Sequence, residues 1–293
     1  MINLSKYLAR SRHGRSLPPA IAFLLLAGSL VALQALAADT RRVEGLDFDA
    51  IAVLGSVAVE IEQGPATVLK MRGSAEDLDR GPFHLRGDRL VLGANPQHRR
   101  HDFSDVKFRV ELPRLRLLQL QGSGDVYLRP FDLRAADGDL RVSLDGTGDI
   151  RIYGITARIL KMKVKGSGDI RAVDVEVDGV EAVVAGSGDL YLKHLAAAEG
   201  SFVVTGSGDI AVVESGTVER LELNIVGSGD IDLRAVEARS AEVNVVGSGA
   251  AGLGRVRESV NCSILGSGDV RFDGDPRVES VQLGSGDCRS RDD

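Results

Sequence analysis

The 293-residue sequence has no tryptophan, eight prolines, two cysteines and only 4% aromatic residues. Two cysteines exclude both a multi-disulfide scaffold and a four-cysteine zinc site. So few aromatics leave any core to aliphatic side chains. The scarcity of proline and the lack of a Gly-X-Y period exclude collagen, and 43% hydrophobic with 27% charged residues is not the composition of a disordered chain. Beyond residue 37 no apolar run is long enough to cross a bilayer as a helix. A net charge of −6 argues against a nucleic-acid partner.

What the sequence does have is glycine. It contains 35, about 12% where about 7% is usual. Residues 1–37 stand apart: Lys6, Arg10, Arg12 and Arg15 occur with no acidic residue, and an apolar run follows from Ala20 to Leu36. This is the pattern of a secretory signal peptide, and Ala35-Leu36-Ala37 supplies the small-x-small cleavage signal. An uncleaved anchor is the alternative, since the run approaches bilayer-spanning length. Cleavage after Ala37 leaves 32 basic against 42 acidic residues, a net charge of −10.

From there a repeat takes over. Gly-Ser-Gly-Asp or a near copy begins at Gly122, Gly146, Gly166, Gly186, Gly206, Gly227, Gly247, Gly266 and Gly284. A period near 20 residues sustained over nine copies is the mark of a stack in which each repeat buries its apolar face against its neighbours. On both sides of the glycines the apolar residues alternate. Four and two residues before lie pairs such as Leu118/Leu120, Met162/Val164 and Leu223/Ile225, and four and six after lie Val126/Leu128, Ile150/Ile152 and Ile231/Leu233. Period two predicts strands, with β-branched residues inward and polar ones outward. Short strands with a corner at fixed intervals, one turn per 20 residues, predict an all-β, single-stranded parallel β-helix, or β-solenoid. The corner glycines are expected where the chain turns with positive φ and a side chain would strike the adjacent rung.

Residues 38–293 are expected to form one domain, with irregular rungs over 38–116 and regular ones over 117–288. In the irregular part Ile51/Val53 precede Gly55-Ser56 at the usual offsets, and Leu69/Met71 precede Gly73-Ser74-Ala75-Glu76 as a second worn copy. The polar stretch Asn95–Asp102 reads as a surface loop. The final rung is expected to slip by one residue, with Val281 and Leu283 in place of the usual inward pair, and the polar tail from Arg289 is expected to cover the edge of the stack.

With these features in this order the chain resembles the bacterial family called putative auto-transporter adhesin, head GIN domain. The likeness is carried by Ile51-Ala52-Val53-Leu54-Gly55-Ser56-Val57, by Val110-Glu111-Leu112-Pro113 and Leu117, and by the array that starts at Gly122-Ser123-Gly124-Asp125. The resemblance implies an exported, right-handed single-coil β-helix of the bacterial envelope, in the periplasm or at the cell surface. It implies an adhesin-like binding or structural module whose molecular role is unassigned. No barrel segment follows the repeats, so the chain is not expected to be a self-sufficient autotransporter. A carbohydrate-active β-helix enzyme and an accessory envelope-maintenance protein are the alternatives.

Two rows of residues are candidates for function. Stacking places Asp125, Asp149, Asp169, Asp189, Asp209, Asp230, Asp269 and Asp287 in line, interrupted by Ala250. Each carboxylate is expected to accept hydrogen bonds from corner N–H groups and the motif serine. The sharper alternative is a cation such as calcium between neighbours, with Asp169, Asp189, Asp209 and Asp230 as the candidate row; no other cofactor is implied. The outward positions just before the corner turn from polar to apolar along the chain, giving a stripe of Val183, Val203, Thr205, Val226, Val246 and Leu265. This is either tolerated exposure or a contact face for an envelope protein, a glycan or a second copy. Asn224 and Asn244 are placed to form an amide ladder beside it.

Catalysis finds little support. The near-constant spacing leaves no long loops to carry acids and bases, and a row of identical aspartates defines no unique pair. His98 and His101 with Asp102 are expected to be solvated, and His84 and His194 isolated. Cys262 and Cys288 read as inward-facing free thiols, since opposite arms of a corner on adjacent rungs are expected to exceed disulfide reach.

Overall fold

A computed structural model describes residues 38–136 and 138–292. Residues 1–37, the expected export signal, lie outside the described residues. From Asp39 onward the chain packs as one unit. It is 67% strand with almost no helix, coiled as a β-solenoid of about nine turns.

The corner glycines set the register. Gly55 pairs with Gly122, and each of the nine motif glycines pairs with the next, up to Gly266 with Gly284. Ten corners at the inter-strand spacing span about 43 Å. The reason for glycine is visible in the hydrogen bonds. The carbonyl of each first glycine accepts both the serine N–H and the second-glycine N–H of the next rung, as Gly146 O does from Ser167 and Gly168 at 3.0 and 3.1 Å. That oxygen lies where a Cβ on the first glycine of the following rung would have to go, and the carbonyl of the second glycine blocks a Cβ on the next second glycine in the same way. Eight of the nine first glycines also have φ between +118° and +153°, so they are constrained by conformation and space, the second glycines by space alone.

Inside, like stacks on like. Leu120, Leu144, Val164, Val184, Val204, Ile225, Val245 and Ile264 form one buried ladder, and Val126, Ile150, Ile170, Leu190, Ile210 and Ile231 another. Each such side chain contributes roughly 1.5–3 kcal/mol on burial. In the next inward row, four residues before the corner, Phe202 is registered with Ala182 below, and Gly200 leaves room for its ring.

The first worn copy is a true rung: Ile51 pairs with Leu118, Val53 with Leu120, and Val59 with Val126. The second is not. Val68–Gly73 runs antiparallel to Lys107–Leu112 and to Asp39–Glu44, and Ser74 caps the short helix Ala75–Asp79 by accepting the Asp77 N–H at 3.0 Å. The strand that lies in parallel register under Ala50–Gly55 is Arg89–Leu92, pairing Ile51 with Leu90 and Val53 with Leu92.

The last rung does not slip. Gly284 pairs with Gly266, Leu283 with Leu265 and Val281 with Ser263, so Val281 and Leu283 face outward while Ser280 and Gln282 take the inward positions. Backbone pairing at the corner outweighs the gain from turning two apolar residues in. The tail likewise does not cover that strand: Arg291 donates to Leu253 O and Asp273 Oδ1, and Asp292 accepts the Gly274 N–H. Arg277–Gly284 is exposed along its length.

Cys262 and Cys288 form a disulfide, with Cα atoms 6.5 Å apart, contrary to the expected free thiols. Cys262 and Val270 flank one corner on opposite arms, and Cys288 is registered with Val270 on the next rung. The arms converge at the corner, so facing positions on adjacent rungs come within disulfide reach.

Candidate binding surfaces

The aspartates form a ladder interrupted at Ala250, and of the two expected donors, corner N–H group and motif serine, it is the corner N–H that serves, from one rung on. Oδ1 of each accepts the backbone N–H of the aspartate one rung on: Asp169 to Asp189 at 2.9 Å, Asp189 to Asp209 at 2.9 Å, Asp209 to Asp230 at 2.8 Å. At the two ends of the array serine hydroxyls bond to one another, Ser56 with Ser123 and Ser285 with Ser267. The second carboxylate oxygen meets side chains two residues along, Arg151 at Asp149, Arg171 at Asp169 and Arg271 at Asp269, and Arg171 reaches Asp149 from the next rung as well. At Asp189 it is the Tyr191 hydroxyl, at 2.8 Å. That hydrogen bond, with burial and the charges of Asp189, Asp169 and Asp209, pushes the Tyr191 pKa up to about 12. Among the described residues no three His, Cys, Asp or Glu side chains gather as a metal site.

The outer stripe has the expected position and extends further than expected. Thr205, Val226, Val246 and Leu265 are registered one above the other, and Leu283 continues the row. Val226 is 49% exposed, Val246 44%, Leu265 49% and Leu283 70%. Val183 and Val203 lie in the neighbouring row and are half-buried. In that row Asn244 Nδ2 donates to Asn224 Oδ1 at 3.1 Å, the amide ladder expected from their spacing.

A third feature was not singled out from the sequence. About eight residues past each first glycine the coil bends again, and along this bend runs an open groove of about 680 Å³. One rim carries Asp174, His194 and Ser215 in register, and the other Thr156, Glu176 and Thr217 at intervals along one row. Between them the floor is Ile155, Val175, Leu195 and Gly216. His194 is therefore not isolated: Nδ1 lies 2.9 Å from Ser215 Oγ and Nε2 lies 3.3 Å from Glu214 Oε2. Tyr153 lines one end with Arg129 over its ring at 5.0 Å.

His84 and His101 have structural partners too. His84 Nδ1 lies 3.0 Å from Ala94 O. His101 is partly buried, not solvated as expected: Nε2 lies 2.6 Å from Asp77 Oδ1, and the ring meets Phe103 edge-on. The Ser74 hydroxyl, then His101, hold the Asp77 carboxyl below the usual range.

The family model described as "Putative auto-transporter adhesin, head GIN domain" matches residues 47–214 and 173–276. The chain belongs to this family. Among solved structures, the adhesin-head chain is similar to a putative lipid binding protein from Parabacteroides distasonis (24% identity, TM-score 0.63). It is also similar to a putative adhesin from the same organism (17%, 0.62) and to one from Parabacteroides merdae (16%, 0.61). Each covers 87% of this chain, and 97%, 98% and 96% of the respective partner chain is matched. At these identities the likeness establishes the fold. No curated protein gives a significant match. Among the described residues no helix of this adhesin-family chain is long and apolar enough to cross a membrane.

Proposed function

We propose that the protein is an exported, non-catalytic binding module of the bacterial envelope that holds a partner protein against its apolar outer stripe. The observation that carries this is the unbroken row Val226, Val246, Leu265 and Leu283, each 44% exposed or more. Exposed apolar side chains scattered singly are ordinary, whereas a contiguous row on a flat sheet face marks a contact surface. Four facts support export and an adhesin-like role: the signal-like residues 1–37, the acidic charge, the family, and a disulfide of the kind that persists in oxidising compartments.

A lipid surface is the second reading, favoured by the same row and by the relative described as lipid binding. One experiment separates them. Labelled protein is titrated onto isolated envelopes and onto vesicles of phosphatidylethanolamine and phosphatidylglycerol, with Val226→Lys/Val246→Lys as the comparison. The variant should melt as the parent does, because both sites are at the surface, and should bind protease-sensitive sites on envelopes about tenfold more weakly. Equal binding by the variant overturns the stripe as the contact face, and equal affinity for protein-free vesicles replaces the protein partner by lipid.

A further inference from the structure

The groove beside His194 is separate from the stripe in both position and chemistry, and its rims are polar. We infer that it binds a linear, uncharged glycan of hexopyranose units lying parallel to the coil axis.

Length and direction come first. From Asp132 through Thr156, Glu176 and Ala196 to Thr217 the groove crosses five rungs, about 19 Å at the inter-strand spacing. A ligand that fills it is extended and meets a similar environment at every rung, so a repeating polymer fits better than a compact molecule. A β-1,4-linked sugar chain advances per unit by close to one rung.

The lining then selects among polymers. A pyranose ring has a C–H face and a rim of hydroxyls. Ile155, Val175 and Leu195 in the floor and the Tyr153 ring suit the face. Asp174, Glu176, Thr156 and Thr217 suit the rim, because carboxylates take short, strong hydrogen bonds from hydroxyls. Asp174 is exposed and makes no ion pair among the described residues, so it is free to accept them. Phosphate, sulfate or uronate polymers are disfavoured: Asp132, Asp174 and Glu176 line the groove, no lysine or arginine does, and the guanidinium at this rim, Arg134, is already taken up by Glu176 at 2.9 Å. A peptide adding as a strand is disfavoured as well, since the floor strands are already paired rung to rung on both sides. An acyl chain would strip water from both polar rims without replacing those hydrogen bonds.

The test is calorimetric titration of the purified protein with cellohexaose, β-1,4-mannohexaose and chitohexaose. At least one should bind saturably, and Asp174→Ala and Tyr153→Ala should each weaken it about tenfold while leaving the melting curve in place. Raising salt to about 0.5 M should leave the affinity within about twofold, as expected for an uncharged ligand. Val226→Lys/Val246→Lys should bind as the parent does, so this site and the stripe stand or fall separately. The proposal is overturned if none of the three binds. It is equally overturned if both groove variants bind at parental strength, or if an oligolysine peptide displaces the sugar in a salt-dependent way.

Discussion

At residue 250 the aspartate ladder loses a step, and the loss can be weighed. The Ala250 N–H still donates to Asp230 Oδ1 at 2.7 Å, but alanine offers nothing to the N–H of Asp269, which elsewhere in the row meets a carboxylate oxygen. An asparagine restores an acceptor of the same length without adding a charge between Asp230 and Asp269. Ala250→Asn is therefore expected to stabilise the fold by about 1 kcal/mol, measured by urea unfolding at neutral pH. Ala250→Asp should gain less, because like charges at rung spacing repel by about 1 kcal/mol even in water. A midpoint that falls for the asparagine variant would show that the ladder bonds are incidental to stability. The sequence put the carboxylates in a row and named corner N–H groups and the motif serines as their donors, bonds within one turn being the usual habit of aspartate. Stacking supplies a better donor, the backbone N–H one rung on, and only the three-dimensional pairing reveals it.

For the strand-and-corner element, two glycine substitutions separate conformation from space. Gly208 has an ordinary φ, yet a Cβ there would run into the Gly188 carbonyl and the Val184 side chain. Gly179 lies within a strand where a Cβ would meet only Ile159, at 3.9 Å. Gly208→Ala should cost about 1–3 kcal/mol or more, since backbone cannot move aside. Gly179→Ala should be neutral or stabilise by up to about 1 kcal/mol. Equal effects in thermal melts would sink the steric account of the motif. The same offsets made most of the coil legible: Ile51, Val53, Val59 and Ile61 all lie where counting from Gly55 places them. Counting failed at Gly73-Ser74, because Ser74 with Asp77 three residues on is equally a helix start. At Leu283 it was the hydrophobic pattern that failed: counting back from Gly284 gives Ser280 and Gln282, and the corner register, set by backbone bonds, keeps them inward. Asp174 and His194 each fall eight residues past a first glycine, and a bulge after Leu192 moves Ser215 to nine. That row was readable in principle, but its residue types differ from rung to rung, so no repeated motif drew attention to it.

On the scale of the whole molecule, stability in a stack is a sum of rungs and nearest-neighbour contacts, so a break at one end need not unfold the other. The disulfide joins Cys262 to Cys288 across 26 residues, and closing such a loop removes about 3.5 kcal/mol of unfolded-state entropy in the chain-entropy account. The segment it closes includes Arg277–Gly284, exposed along its length, which makes this rung dependent on the bond. Reduction, or Cys262→Ser/Cys288→Ser, is therefore expected to speed amide exchange over residues 277–290 while leaving Ile150–Ile152 and Leu190–Leu192 protected. The consequences for binding divide along the same axis. Leu283 ends the apolar row, so partner binding through the stripe should weaken, whereas the groove, built from residues 130–217, should keep its ligand unchanged. Loss of protection that spreads to Ile150–Ile152 would instead mean that the solenoid unfolds as one cooperative unit, with the C-terminal bond holding all of it.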